Sequence, residues 1–161
     1  QVFAPSWHDY DMAELDRALA ARAGAKSDRK LRESIAAYRS FIHAGGTLDL
    51  TDISPALLRG YFDRGLPVLA GLSATYLYAS ARERVAGSAM VHDDIAGDPQ
   101  GHFVVLCGFE GPHVLVADPF EENPSGDRHY PVEVSRLIHA ILLGVLTYDG
   151  NLLILDRDGT P

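Results

Sequence analysis

Two residue types that can make a proton relay bracket one short stretch of the chain. His102 opens HFVVLCGFEGPHVLVADP and Asp118 stands next to last in it. A carboxylate that accepts from one imidazole nitrogen fixes the ring's tautomer and stabilises the imidazolium, leaving the other nitrogen as a general base. The stretch reads as a hairpin with its turn over Gly108 to Pro112. Strand side chains alternate faces, so His102, Val104 and Leu106 share one face and Phe103, Val105 and Cys107 the other. On the return, Val114, Val116 and Asp118 share a face. With the turn centred near Glu110, the first residue of one strand lies near the last of the other, which brings His102 and Asp118 together at one sheet end. Taken on geometry alone, a strand-edge histidine and an ordinary Asp-Pro turn are the favoured reading.

A relay needs a nucleophile. The one cysteine, Cys107, is five residues beyond His102 on the opposite face and about 16 Å along the strand. It reads as a buried, small apolar side chain. Ser73 and Ser80 lack the Gly-x-Ser-x-Gly setting of a serine hydrolase, and no glycine-rich phosphate loop occurs. His92, Asp93, Asp94 and Asp98 could ligate a divalent cation; the preferred reading is a solvated acidic loop, or a lid ahead of His102. Neither a metal nor a cofactor is expected. Trp7-His8-Asp9 reads as a binding aromatic or as a plug before the first helix. Tyr76 and Tyr78 read as groove-lining or as strand-end tyrosines.

The elements that must position the pair follow from periodicity. Helices are expected over about Met12 to Ala23, capped by Asp9 or Asp11 and stopped by Gly24, and after a Ser27 cap to Gly45-Gly46. Leu48 to Leu50 could be a strand. A third helix opens at Ser54-Pro55, and Leu66 to Leu72 reads as a buried strand that Thr75 to Tyr78 would extend. Val85 to Gly101 and Pro119 to Arg128 read as loops. A last helix spans about Val132 to Leu143, buried through Val134, Leu137, Ile138, Ile141 and Leu142, and Asn151 to Asp156 is a final strand. Helices first and strands later favour an α+β fold with an antiparallel sheet, as one domain over residues 1–161.

Composition sets outer limits. The chain has 161 residues, 47% hydrophobic and 22% charged, with a net charge of −8. That acidity and the lack of any basic cluster argue against a nucleic-acid partner. No apolar run reaches the ~20 residues of a membrane span. One cysteine leaves the compartment open, with the cytoplasm favoured.

Gly65-Leu-Pro-Val-Leu69, then His102-Phe-Val-Val-Leu-Cys-Gly-Phe109, then Val114-Leu-Val-Ala-Asp118-Pro119 resemble the bacterial C39-like cysteine peptidase family over residues 65–120. Val2 to Trp7 and the Tyr130-Pro131-Val132 lead into the last helix also fit. The resemblance implies a papain-like fold, a peptide or amide substrate, His102 as general base and Asp118 as the acid that orients it. The family's cysteine sits on a helix N-terminus near the start of the domain, shortly after a glutamine that helps bind the oxyanion. No Asp-Cys-Gly or Thr-Cys-Gly segment exists here, and the residues after Gln1 do not match the glutamine motif. The chain therefore reads as an N-terminally incomplete peptidase domain, which its non-Met start favours, or as a relative that has lost its thiol. The alternative function is a non-catalytic, peptide-holding module of the same fold; acyl transfer to an amine is a third.

Overall fold

The computed structural model describes residues 2–144 and 150–156. Gln1 and the apolar residues Val145 and Leu146 lie outside the described residues. The chain divides into two compact units, one up to residue 52 and one from residue 53.

The first unit is helical. A 3-10 turn, Pro5–Trp7, precedes helix α1, Met12–Ala25. The Trp7 ring stacks on Tyr10, with centroids 6.2 Å apart, which is local packing before the helix. Asp11, rather than Asp9, caps α1: its carboxylate accepts from the Glu14 N–H at 2.7 Å while Glu14 accepts from the Asp11 N–H at 2.9 Å. This reciprocal box satisfies two otherwise orphaned donors. Gly24 does not stop α1, which ends only when Lys26 turns extended. Helix α2, Arg29–His43, is capped by Asp28 and not Ser27, because the Asp28 carboxylate reaches the Leu31 N–H. Leu15 and Leu19 of α1 and Leu31 and Ile35 of α2 are buried. The Arg39 guanidinium ties the two helices together with bonds of 2.7 and 3.2 Å to Asp16. Leu48 to Leu50 form no strand; Asp49 instead accepts from the backbone and hydroxyl of Thr51.

The second unit is α+β. Helix α3, Pro55–Asp63, starts as expected, with the Ser54 hydroxyl on the Leu57 N–H and proline in the first turn. Strand β1 is Val68–Ser73. The chain then turns into a short helix, α4, Ala74–Tyr78, where a strand extension was expected, because Ser73 caps it by accepting from the Tyr76 N–H. Strands β2, Glu83–Ala86, and β3, Ala89–His92, form a separate two-stranded ribbon inside the expected loop. They are followed by β4, Gly101–Glu110, β5, His113–Ala117, and β6, His129–Glu133. Helix α5, Val134–Gly144, and strand β7, Asn151–Ile154, close the unit.

The main sheet has the order β6-β5-β4-β1-β7, and all four neighbouring pairs are antiparallel. One face carries the core: Val68, Ala70 and Leu72 from β1, Val104 and Leu106 from β4, and Val114 and Val116 from β5. Leu58, Leu77, Leu137, Ala140 and Ile141 of the helices pack with them. In α5 the buried side is Leu137, Ala140, Ile141 and Gly144, while Leu142, expected inside, is 53% exposed. At Gly144 α5 lies close against β1: a Cβ there would lie 2.9 Å from the Leu72 Cα.

Candidate functional site

The turn joining β4 to β5 is tighter than the sequence suggests. Glu110 pairs with His113, leaving Gly111 and Pro112 as a two-residue loop in which Gly111 has φ +57°. A positive φ at the first loop position suits the twist of a hairpin and is glycine's province. From this turn the ladder runs Phe109 to Val114 and Gly108 to Leu115. Directly opposed residues share a face. Continued unbroken, that register would set Asp118 level with Val105, on the Phe103 face and away from His102.

A β-bulge corrects it. Between Leu106 and Gly108 the register shifts, so that Leu106 pairs with Val116 and Val105 with Ala117. The next step brings Asp118 level with Val104, on the face of His102. The two therefore meet along a diagonal, not directly across as a turn at Glu110 would have had it. Cys107 lies at this bulge. It is exposed rather than buried, on the face opposite His102, so the structure corrects the sequence reading of a core cysteine.

His102 Nε2 lies 2.9 Å from Asp118 Oδ1. The Asp118 side chain is 0% exposed and that of His102 22%. The carboxylate is held by four donors: His102 Nε2 and the Phe120 N–H on Oδ1, and the hydroxyls of Tyr78, at 2.7 Å, and Tyr130, at 2.6 Å, on Oδ2. An ionised carboxylate offers about four acceptor positions, and all are used. Burial by itself would raise the Asp118 carboxyl, but the bonds from Tyr130, His102, Tyr78 and the Phe120 N–H outweigh it and hold the group below its ordinary range. Burial, and then the bond to Asp118, push both phenols upward, so they stay neutral donors. Because an ionised carboxylate can only accept, Nε2 carries the ring proton of neutral His102. Nδ1 is then the lone-pair nitrogen, and among the described residues no hydrogen bond occupies it.

Local folding supplies each donor. Tyr78 is the last residue of α4, and Ala79 after it adopts a left-handed conformation, φ 53° and ψ 37°. This is an unusual cost for a residue with a Cβ. Tyr130 lies in β6 opposite Val116, and the Asp118 N–H continues that ladder to the Arg128 carbonyl at 2.8 Å. Buried Asn123 fixes the intervening loop by donating to the Phe120 and Asp127 carbonyls. The rings of Tyr78 and Phe120 flank His102 at 6.0 and 6.4 Å.

The sequence singled out His102 and Asp118, and the structure brings them together. Sequence reasoning missed Tyr130 and Phe120 and read Tyr78 as groove-lining or as a strand-end tyrosine, whereas its hydroxyl lies on the Asp118 carboxylate. The acidic segment before His102 is tied up internally: Asp93 accepts from Arg84, Ile95 and Ala96, and Asp94 accepts from the Arg82 N–H. The Ala96 N–H, Arg84 and the Ile95 N–H lower Asp93 to about 2. Among the described residues no three His, Cys, Asp or Glu side chains converge as a metal-holding group, and no helix is long and apolar enough to cross a membrane.

No family model matches the chain, and no curated protein matches it. A crystal structure described as a "putative C39-like peptidase from Bacillus anthracis" is similar at a TM-score of 0.40 and 19% identity, over 68% of this chain and 51% of that one. The similarity thus spans about half the length of that protein.

Proposed function

We propose that the chain, as one domain, carries the acid–base half of a C39-like cysteine peptidase or amide hydrolase with papain-like packing. His102 is its general base and Asp118 its orienting acid. The observation that carries the reading is the bond from His102 Nε2 to a fully buried, fully satisfied Asp118, which leaves Nδ1 with a lone pair on a partly exposed ring. The sequence resemblance over residues 65–120 supports it. In this mechanism Nδ1 takes the proton of a thiol as the sulfur adds to an amide carbonyl. The imidazolium then returns that proton to the leaving amine as the C–N bond breaks, and water hydrolyses the thioester with Nδ1 again as base. Asp118 remains ionised throughout.

The thiol is not supplied by Cys107, which faces away. The test is thiol-dependent hydrolysis of peptide amides by the protein expressed from its complete open reading frame. His102→Ala should abolish turnover, and Asp118→Asn should lower it by orders of magnitude while the fold is kept. Unchanged turnover in His102→Ala would sink the assignment. The outward Cys107 also favours a second reading, a module that holds a peptide without cutting it. Saturable peptide binding with no cleavage by the complete protein would select that reading.

A further inference from the structure

We infer that Tyr78 and Tyr130 are positioning residues, a two-hydroxyl clamp that fixes the Asp118 carboxylate so that Oδ1 is presented to His102. The inference rests on reading His102 and Asp118 as the reactive pair.

Three observations lead to it. Both hydroxyls converge on Oδ2, at 2.7 and 2.6 Å, and neither touches Oδ1. A carboxylate held at one oxygen by two donors cannot rotate to exchange its oxygens, so the other stays aimed at the ring. The donors also come from separate elements, the end of α4 and the start of β6, so the clamp spans the carboxylate from two sides. Finally, the backbone is strained where one donor is delivered. Ala79, directly after Tyr78, holds φ 53°, a conformation that the surrounding structure must impose. A tyrosine needed only for its ring would not require its hydroxyl to be brought to this point.

The clamp keeps Asp118 an anion and therefore keeps the His102 proton on Nε2. It acts through Asp118 and does not touch a substrate.

The test is NMR of the 161-residue chain, labelled with 13C and 15N, which needs no thiol and no turnover. The Asp118 13Cγ shift is followed against pH, and the His102 tautomer is read from its ring 15N shifts, assigned by loss in His102→Gln. Wild type should show Asp118 titrating below 3.8 and the Nε2–H tautomer. Tyr78→Phe and Tyr130→Phe should each raise the Asp118 midpoint by about one pH unit, since each removes a charge-assisted bond. The double variant should raise it further and mix the His102 tautomers. Phenylalanine keeps the ring, so tyrosines with a merely packing role would leave both readouts unmoved, and that result overturns the clamp. If neither variant folds, wild type still decides: an Asp118 midpoint at or above 3.8 overturns it. An inert His102→Ala phenotype in the complete protein would overturn the peptidase reading while leaving these shifts in place, so the two failures are distinguishable.

Discussion

Cys107 and His102 stand on opposite faces of β4, and Cys107 is exposed. The chain's one thiol therefore cannot exchange a proton with the chain's candidate base. It should behave as an ordinary surface thiol. A disulfide reagent should label Cys107 in the native protein at nearly its rate in urea. Cys107→Ser should change unfolding free energy by less than about 0.5 kcal/mol. Protection of the thiol until global unfolding would contradict the outward placement.

Asp118 is a buried polar residue with four hydrogen-bond donors on it, and removing it should be costly. Asp118→Ala strands two tyrosine hydroxyls and the Phe120 N–H next to the core. It should lower stability by about 3 kcal/mol or more. Asp118→Asn keeps the shape but turns an NH2 toward donors, and should cost about 2 kcal/mol. Urea unfolding at neutral pH measures both.

The same cluster sets two pH limits. The folded carboxyl of Asp118 lies below its ordinary 3.8. Its contribution is therefore present above 3.8 and lost as pH falls from there through the folded value. The phenols of Tyr78 and Tyr130 lie above their ordinary 10.0 in the folded state. Their contribution is intact below 10.0 and lost as pH rises beyond it. Thermal midpoints should fall at both ends. In the Tyr78→Phe, Tyr130→Phe double variant the alkaline fall should become shallower.

Helix α5 offers a test of packing against propensity. Alanine in place of glycine ordinarily favours a helix by about 1 kcal/mol. At Gly144 the added Cβ would meet the Leu72 Cα at 2.9 Å and the Gly150 N at 3.1 Å. Gly144→Ala should instead destabilise, by about 1–3 kcal/mol. Leu142→Gln, on the exposed side of the same turn, should be nearly neutral. Equal effects would mean the helix is not seated on β1 as described.

Much of this arrangement was legible in the residues, and the rest was hidden for physical reasons. Capped, periodic segments such as α1 and α3 declared themselves, as did β1 and the hairpin, because apolar spacing and turn chemistry agree there. Strand β6 did not, because Pro131 argues against a strand; it is tolerated here since β6 is an edge of the sheet. Helix α4 was masked by Tyr76 and Tyr78, which favour strands, and only the Ser73 cap reveals it. The strands of the β2 and β3 ribbon are four residues each, too short for a period to emerge. His102 and Asp118 were found for a reason that was only half right. Their shared face depends on a bulge that alternation by itself does not announce. The tyrosines were missed because their contact with Asp118 is set by tertiary structure.

The four donors on Asp118 bear on the order in which the unit assembles. Phe120 is two residues away from Asp118, but Tyr130, His102 and Tyr78 lie 12, 16 and 40 residues away in sequence. Stripping water from the carboxylate before all of them have arrived would leave a bare charge beside the core, a step with a steep barrier. The hairpin of β4 and β5 closes over a short loop and can form early, whereas α4 must return across a longer one. Dehydration of Asp118 is therefore a closing event of folding, completed when α4 docks. Loss of the Tyr78 hydroxyl should consequently appear mainly as faster unfolding, with the rate of folding little changed.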